Sequence, residues 1–396
     1  MYDLIIIWWW ASGLFCSINT SKNSKKLIIE KQENLWQKIL LSGWGRCNFT
    51  NLNIDPDRYF WQNKKMLASI FHKYSNYDFM NYLDENWINY NIEDNGRVIL
   101  KSWKAKELLD FLIQESKNNN TQIQTWITIT KIEKIDEWFK ITSNEKEFIC
   151  KNLVIATWWI SYPQIWTTGF GIQIAKDFGL NIIPSFPSLC WLETDIDFSS
   201  LTWSSISWTV ELFDWNKKIY ENQWNILFTH RWLSWPAIFN CSAWLAEYLT
   251  KKLLENKMSS WALAKDIAPL IKGEREVLDY SLISQWNIQL KITPNEITKK
   301  LDKFLDSSKT FPPLIGGDPA SAGEGFVTTQ ITNFRPLEEA KVSSGGVDIT
   351  EIKPNFECKN IPNLYFIWET LDIIWETWWF NLQWAWSSGF VCGQNF

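Results

Sequence analysis

The residues best suited to bind a ligand lie near the start of the chain. Asp3-Leu-Ile-Ile-Ile7 predicts a buried parallel strand, and Trp8-Trp9-Trp10-Ala11-Ser12-Gly13 follows it. With glycine in place of the tryptophans, this segment is a GxGxxG fingerprint at positions 8, 10 and 13. Its glycines make the turn, admit a pyrophosphate to the backbone and pack helix on strand. A helix from Leu14, a strand at Leu27–Ile29 and an acid at Glu30, placed for ribose hydroxyls, complete a dinucleotide-binding unit.

Tryptophan and glycine contents are both abnormal. The chain of 396 residues has 29 tryptophans and 16 glycines, so tryptophan holds the share, about 7%, that glycine normally holds. Many tryptophans occupy contexts that favour glycine: Trp158-Trp159, Trp378-Trp379, Asn86-Trp87, Asp214-Trp215, Glu137-Trp138 and Ser234-Trp235-Pro236.

The simplest interpretation of this pattern is translational. Some bacterial lineages use the UGA codon for glycine, and a gene from such a lineage, translated with a table that reads UGA as tryptophan, would give this chain. The alternative is a protein truly rich in tryptophan, for carbohydrate stacking or a membrane interface. That alternative does not explain the glycine-like contexts. Trp384 and Trp386 are the best candidates for genuine tryptophans.

Several segments, read with glycine at their tryptophans, resemble one bacterial flavoprotein family in the family's order. They are Leu35–Asn51, Ala156–Gly169, Leu227–Ala237, Ser344–Val347, Leu364–Asp372 and Trp378–Gly389. The chain resembles the aminoacetone oxidase family of FAD-binding enzymes, whose relatives include reductases of unsaturated 3-oxo bile acids. The resemblance runs from residue 2 to about residue 393.

This resemblance implies the fold and its domains. The expected class is α/β, with a two-dinucleotide-binding, Rossmann-type FAD domain, an inserted β-barrel and a small helical subdomain. Residues 1–187 and 335–396 would form the FAD domain, residues 188–250 and 311–334 the barrel, and residues 251–310 the helical subdomain. Helices are expected at Ala237–Leu254, Ala262–Ile271 and Glu296–Leu305.

The resemblance also implies which residues contact FAD. They are Trp8, Trp9, Trp10, Ser12, Gly13, Glu30, Lys31, Lys38, Ser42, Gly43, Trp44, Gly45, Arg46, Asn48, Ile129, Thr157, Trp158, Trp159, Glu369, Asp372, Trp378, Trp379, Phe380 and Asn381. Residues 8–13 would hold the pyrophosphate, and Glu30 with Lys31 would meet the adenosine ribose. Residues 42–48 would wrap the flavin side, and the acids near the last strand would meet the ribityl chain. The N-terminus of the final helix would face the flavin pyrimidine, where reduction develops negative charge.

Some of these residues also have simpler interpretations. Arg46 would offset phosphate charge or be a solvated surface arginine. Ile129 would contact the adenine side or belong to the core. Cys47 would have a redox role or simply pack. His230 would face substrate or be a loop histidine bonded to backbone, and no catalytic residue is assigned, because Ser161 and Tyr162 are equally explained by packing.

The expected chemistry is hydride transfer through flavin N5, from a reduced nicotinamide, NADH or NADPH, to a small organic acceptor such as an enone. One alternative is a non-catalytic FAD-binding protein, such as an RNA-modification or regulatory factor. Another is that the literal tryptophan-bearing chain cannot bind FAD.

The remaining composition points away from other classes. The net charge of −5 without a basic stripe predicts no nucleic-acid partner. Two histidines and seven scattered cysteines without a CxxC pair predict no metal site and no dithiol flavin reductase. The start Met-Tyr-Asp, with its short apolar run, predicts neither a secretion signal nor a membrane span, and therefore a cytoplasmic protein. The sequence leaves the oligomeric state open.

Overall fold

The structure is a computed structural model, and it describes residues 1–8, 11–32, 45–60, 63–157, 169–202, 205–229, 232–255, 288–294, 326–376 and 378–396. The chain divides into two compact units, residues 1–183 with 345–396, and residues 184–344. The first unit therefore takes both ends of the chain, and the second unit is inserted between them.

The described strands are β1 (Tyr2–Ile7), β2 (Lys26–Ile29), β3 (Asn48–Asn51), β4 (Tyr59–Phe60), β5 (Tyr90–Ile92), β6 (Arg97–Leu100), β7 (Thr121–Gln124), β8 (Ile129–Ile135), β9 (Trp138–Ser143), β10 (Glu147–Ile155), β11 (Ile182–Ile183), β12 (Pro187–Ser188), β13 (Leu192–Thr194), β14 (Ser205–Asp214), β15 (Lys217–Phe228), β16 (Leu233–Ser234), β17 (Ile288–Pro294), β18 (Val327–Phe334), β19 (Val342–Ser343), β20 (Gly346–Val347), β21 (Leu364–Phe366) and β22 (Ile374–Trp375). The described helices are α1 (Ala11–Ile18), α2 (Lys64–Lys73), α3 (Asn76–Glu85), α4 (Ala105–Asn118), α5 (Phe170–Asp177), α6 (Pro236–Glu255) and α7 (Trp378–Gly393).

A parallel sheet forms the centre of the first unit. Its order is β7-β2-β1-β10-β21, and the β8–β9 hairpin extends the N-terminal half of β10 in antiparallel fashion. The apolar runs Leu4–Ile7 and Leu153–Ile155 are fully buried, as strands covered on both faces require. Strands from both ends of the chain thus share one sheet, and the Rossmann-type α/β class is confirmed.

Helix α7 packs closely on α1. A Cβ added to Gly389 would lie 2.6 Å from the Ser12 carbonyl oxygen, and one added to Gly393 would lie 2.6 Å from the Cys16 carbonyl oxygen. Both distances are too short for any residue but glycine. The last helix therefore lies directly against the helix that follows the fingerprint.

The second unit contains a closed barrel of six strands in the order β13-β16-β15-β14-β17-β18. Its core is apolar and includes Val210, Leu212, Leu290 and Ile292, which alternate with partly exposed residues along their strands. An inserted β-barrel was expected from the family resemblance, and the barrel confirms it. Helix α6, which carries Ala237, Cys241 and Leu245 into the same core, begins and ends within a residue of the predicted helix.

The boundaries of the helical subdomain need one correction. Residues 288–294 lie inside the predicted range 251–310 but form β17, a strand of the barrel. The pattern Ile288-Gln-Leu-Lys-Ile292 alternates with period two, and all three apolar residues are buried. The predicted helices Ala262–Ile271 and Glu296–Leu305 lie outside the described residues.

No helix among the described residues combines the length and the apolar character that crossing a membrane requires.

Candidate functional site

Four strands of the first unit end side by side. Trp8 donates its backbone N–H to the Ile29 carbonyl at 2.9 Å, which aligns the ends of β1 and β2. Ala156 N–H donates to the Ile7 carbonyl at 3.1 Å, and Ile367 N–H donates to the Ile155 carbonyl at 3.1 Å. The segments that follow β1, β2, β10 and β21 therefore leave the sheet at its carboxyl edge, where doubly wound folds bind ligands.

Two buried hydroxyls lie behind this edge. Ser12 Oγ and Thr157 Oγ1 are both buried, and neither has a hydrogen-bond partner among the described residues. A Cβ on Gly13 would lie 2.6 Å from the Trp8 carbonyl oxygen. The end of β1 and the start of α1 are therefore too close for any residue but glycine at this position, which is the third glycine of the fingerprint. Because an unpaired buried hydroxyl costs free energy, the two hydroxyls suit a polar ligand at the start of α1.

Glu30 lies at the end of β2 and is only 7% exposed. Its backbone N–H donates to the Gln124 carbonyl at 2.9 Å, and its Oε1 accepts from the Gln32 N–H at 2.9 Å. The backbone of Ile127, a buried residue, donates to the Glu30 carbonyl at 3.0 Å. Ile127, which the sequence did not single out, therefore lies beside Glu30, whereas the predicted Ile129 starts β8, two residues farther along.

The segment before β3 is held by charge pairing and burial. Gly45 has φ of 85°, and Cys47 is fully buried with φ of 55°. Arg46 Nη1 lies 3.6 Å from Glu93 Oε1, with both side chains about 30% exposed. Asn48 opens β3 opposite Ile99. Arg46 thus forms an ion pair with Glu93, and the Cys47 thiol lies in the core.

The acids that follow β21 are buried, and one of them is bonded to the final helix. Asn381 donates its side-chain N–H to Glu369 Oε1. Asp372 is also buried, and its backbone N–H donates to the Val347 carbonyl at 3.0 Å. The Glu369–Asn381 bond joins an acid that follows β21 to the first turn of α7, so that this carboxylate and the helix N-terminus lie close together.

Tyr59 fixes the first turn of α7 from the other side. Its hydroxyl donates to the Phe380 carbonyl at 2.9 Å. Complete burial raises the pKa of Tyr59 well above its ordinary value, so the hydroxyl stays protonated and continues to donate. Phe380 itself is buried, and the Tyr59 and Phe380 rings meet edge to face at 5.9 Å.

Part of the predicted site lies outside the described residues: Trp9, Trp10, Lys38, Ser42, Gly43, Trp44, Trp158, Trp159, Ser161, Tyr162 and His230. Trp378 and Trp379 begin α7, and their side chains are not described. Lys31 follows Glu30 and is half-buried. Among the described residues, no group of three or more His, Cys, Asp or Glu side chains is placed to hold a metal ion.

The family model described as HI0933-like protein Rossmann domain matches residues 2–395. The chain belongs to this family. Among similar proteins, the ribosomal RNA dihydrouridine synthase of Haemophilus influenzae is 31% identical over 415 residues, which cover 99% of this chain and 97% of that protein. The 3-dehydro-bile acid delta(4,6)-reductase of Clostridium scindens is 21% identical, with 97% of this chain and 96% of the reductase covered.

Solved structures share the fold of this HI0933-like chain. The 3-ketosteroid-delta4-(5alpha)-dehydrogenase of Rhodococcus jostii RHA1 superposes with a TM-score of 0.52 at 10% identity, covering 99% of this chain and 96% of that chain. The FrdA subunit of Escherichia coli quinol fumarate reductase has a TM-score of 0.50 at 12% identity, covering 100% of this chain and 69% of that chain.

The described residues of the HI0933-like chain fit FAD, with one exception. The orphaned hydroxyls of Ser12 and Thr157, the close approach at Gly13 and the buried Glu30 suit a dinucleotide. The exception is Trp8, a buried residue with φ of 65° whose ring lies 6.4 Å from the ring of Phe170. A left-handed backbone at the first fingerprint position is the conformation that glycine supplies.

Proposed function

We propose that the protein uses FAD to reduce a carbon–carbon double bond conjugated with a carbonyl group, and that its substrate is a uracil base of ribosomal RNA. Dihydrouridine differs from uridine by saturation of the bond between C5 and C6, which is conjugated with the C4 carbonyl. The name of the bile acid relative describes reduction of double bonds in a 3-oxo compound. Conjugated-enone reduction is thus common to two relatives that each align over nearly their full length.

The observation that carries the proposal is the group of buried polar atoms at the carboxyl edge. When bound, FAD supplies the site of hydride acceptance and donation. Ser12 and Thr157 hydroxyls would donate to its pyrophosphate, and Glu30 would accept from its adenosine ribose. Glu369, fixed by Asn381, would accept from the ribityl chain. A reduced nicotinamide, NADH or NADPH, is the proposed electron source, and a cytoplasmic location, where ribosomal RNA is found, is part of the proposal.

We also infer that glycine occupies many of the tryptophan positions in the protein made by its own host. Thirteen residues other than glycine have positive φ in the described chain, and seven of them are tryptophans: Trp8, Trp87, Trp103, Trp126, Trp215, Trp235 and Trp368. Five of these are also exposed, and Trp87 is 89% exposed. A left-handed backbone and a solvated indole are both unfavourable for tryptophan, and neither disfavours glycine.

The buried tryptophans differ in whether their indole N–H groups have a hydrogen-bond acceptor. Trp384 Nε1 donates to the Trp368 carbonyl at 3.3 Å, and Trp386 Nε1 donates to the Phe49 carbonyl at 3.0 Å. Trp208 and Trp375 are equally buried, but their Nε1 atoms have no partner among the described residues. Because a buried indole N–H normally finds an acceptor, these contacts support Trp384 and Trp386 as genuine tryptophans and Trp208 and Trp375 as glycine positions. Trp368 Nε1 also donates, to Asn381 Oδ1 at 2.8 Å, and there the φ of 64° is the observation that favours glycine.

The function is tested with chain that carries glycine at every tryptophan position except 384 and 386. Unmodified ribosomal RNA, FAD and NADH or NADPH are added, and the nucleosides are then separated and weighed. We expect a uridine that has gained two hydrogen atoms, and less of this product from Glu30→Ala when FAD is limiting. Oxidation of the nicotinamide without product from any ribosomal RNA would overturn the choice of substrate.

A small enone is the second candidate substrate. The net charge of −5 favours it, because a protein that grips RNA by its phosphates is usually basic. Unsaturated 3-oxo steroids are the matching probe, and their reduction in place of RNA would select this candidate. A chain that retains FAD but reduces neither class, with either nicotinamide, would instead be a non-catalytic FAD-binding protein.

A further inference from the structure

Lys26 is a lysine buried inside the parallel sheet. It is the first residue of β2, it lies opposite Leu4 of β1 and Thr121 of β7, and it is 1% exposed. Lysine is rarely buried so completely unless its charge is compensated. Within the part of the chain that the structure describes, no carboxylate forms an ion pair with it. Its compensation must therefore come from neutral polar groups.

Backbone carbonyls at the end of α1 supply that compensation. Lys26 Nζ donates to the carbonyl oxygens of Ser21 at 3.0 Å, Thr20 at 3.4 Å and Ser17 at 3.5 Å. Asn119, which follows α4, donates to the same region, to the carbonyl oxygens of Ser17, Ile18 and Thr20 at 2.8–2.9 Å. The last carbonyls of a helix lack intrahelical partners and form the negative end of its dipole. The ammonium group thus lies at the opposite end of α1 from the fingerprint.

We infer that Lys26 is a positioning residue for the FAD pyrophosphate. Lys26 holds α1 at its C-terminal end, and its ammonium group adds positive charge on the helix axis. The inference rests on the FAD binding proposed above. A helix of eight residues is about 12 Å long. At an effective dielectric constant of about 20, opposite unit charges about 15 Å apart attract strongly enough to change a binding constant about sixfold.

The charge on Lys26 changes within an accessible pH range. Burial lowers the pKa of Lys26 to about 8, although Cys16 acts to raise it. The titratable group that acts on it is the Cys16 thiol of α1. The other titratable groups on the neighbouring elements are Tyr2 and Asp3 of β1 and, on α4, Lys106, Glu107, Asp110, Glu115 and Lys117. The Asp3 carboxylate accepts from the Lys25 N–H at 2.7 Å. The neighbouring polar side chains that are uncharged are Ser116, Asn119 and Thr121. Affinity for the pyrophosphate should therefore fall about fourfold between pH 7 and pH 9, because about nine-tenths of the lysine is charged at pH 7 and about one-tenth at pH 9.

Folding stability should respond with the opposite sign. The folded pKa of Lys26, about 8, lies below the ordinary value of 10.5, so the unfolded chain binds more protons between these two values. Stability contributed by this group therefore rises with pH across that window. A lysine with a purely structural role would give the same rise in stability with pH, but the affinity for the pyrophosphate would then not depend on its charge.

The test uses ADP, which carries the pyrophosphate without the flavin, and the glycine-bearing chain described above. The dissociation constant of ADP is measured by calorimetry from pH 7 to pH 9. The midpoint of unfolding in urea is measured from pH 8 to pH 10. We expect about fourfold weakening in the parent chain, tight and pH-independent binding in Lys26→Arg, and weak, pH-independent binding in Lys26→Met. Lys25→Met, which changes an exposed neighbour, should behave as the parent does.

The inference is overturned if Lys26→Arg keeps the parent's loss of affinity with rising pH. Should Lys26→Met not fold, the comparison of the parent with Lys26→Arg decides alone. If no chain binds ADP, the FAD proposal fails, and with it the effect on the pyrophosphate. The rise of the urea midpoint with pH, present in the parent and absent in Lys26→Arg, then still shows whether the buried ammonium titrates as inferred.

Discussion

The Thr50 hydroxyl donates to Gln383 Oε1 at 2.7 Å, and both side chains are buried. The bond joins β3 to the final helix, and it continues from Gln383 Nε2 to Ser387 Oγ at 3.0 Å and from Ser387 Oγ to the Tyr74 carbonyl at 2.8 Å. This hydrogen-bond relay from Thr50 to Tyr74 fixes α7 against β3 and against the residue that follows α2. The position of Asn381, two residues before Gln383, therefore depends on it.

Gln383→Leu breaks this relay and leaves the Thr50 hydroxyl without its acceptor. We expect the free energy of unfolding to fall by about 1–3 kcal/mol, since a buried polar group loses its partner. Urea denaturation measures the change. Gln394→Leu, at an exposed position near the end of α7, is the matched control and should change stability by no more than about 0.5 kcal/mol. Equal losses in both variants would show that the relay has no special role.

Glu30→Ala should weaken FAD binding without unfolding the protein. The carboxylate would lose charge-assisted hydrogen bonds to the ribose, about 1.5–3 kcal/mol, or one to two decades in affinity. Titration of apo-protein carrying glycine at the fingerprint positions measures the dissociation constant. Glu145→Ala, which changes an exposed acid, is the control. An unchanged constant in Glu30→Ala would place the ribose contact elsewhere.

Trp87→Gly and Trp215→Gly should each stabilise the chain as written. Both residues are exposed and have φ of 60° and 55°, a conformation that costs a non-glycine residue about 1 kcal/mol or more. Thermal unfolding of each variant checks the sign.

Trp386→Gly is the opposing control, because that ring is buried and stacks on Phe79 with centroids 4.3 Å apart. Its loss should cost about 3–5 kcal/mol. Destabilisation by glycine at positions 87 and 215 would contradict the assignment of these positions to glycine.

Acid should weaken the barrel through Glu211. Burial acts to raise its pKa, but hydrogen bonds from Lys291 and Lys218, at 3.1 and 3.2 Å, outweigh burial and lower the pKa below its ordinary value of 4.5. Stability from this group is therefore complete above pH 4.5 and is lost as the pH falls through the lowered pKa.

Glu211→Gln should show a smaller loss of stability between pH 6 and pH 3 than the parent, because the neutral amide has no carboxylate to protonate over that range. Glu221→Gln, which removes an exposed partner of Lys218 alone, should leave the acid dependence nearly unchanged. Urea midpoints across this pH range measure both variants, and identical acid dependence in all three proteins would exclude Glu211 as the cause.

Local patterns were enough to predict the first strand–helix–strand unit, because apolar runs and an acid at a strand end are determined by neighbouring residues. Glu30 lies where this pattern put it. Contacts made across the fold were not predictable in this way. Lys26 bonds to the C-terminal end of α1 from the strand that follows this helix. Ile127 lies beside Glu30 only because β7, which precedes it, pairs with β2. Strand β17 belongs to the barrel although it lies within a stretch expected to be helical. The cofactor contacts themselves stay predictions.

The placement of β21 beside β10 has a consequence for the order in which the protein is made. A ribosome delivers residues 147–155 early and residues 364–366 only after the whole inserted unit, 184–344, has emerged. The nascent sheet therefore keeps one side of β10 unpaired, and α1 lacks the glycine-lined surface of α7, while the barrel strands are already complete. We expect the inserted unit to resist protease on stalled nascent chains before the first unit does.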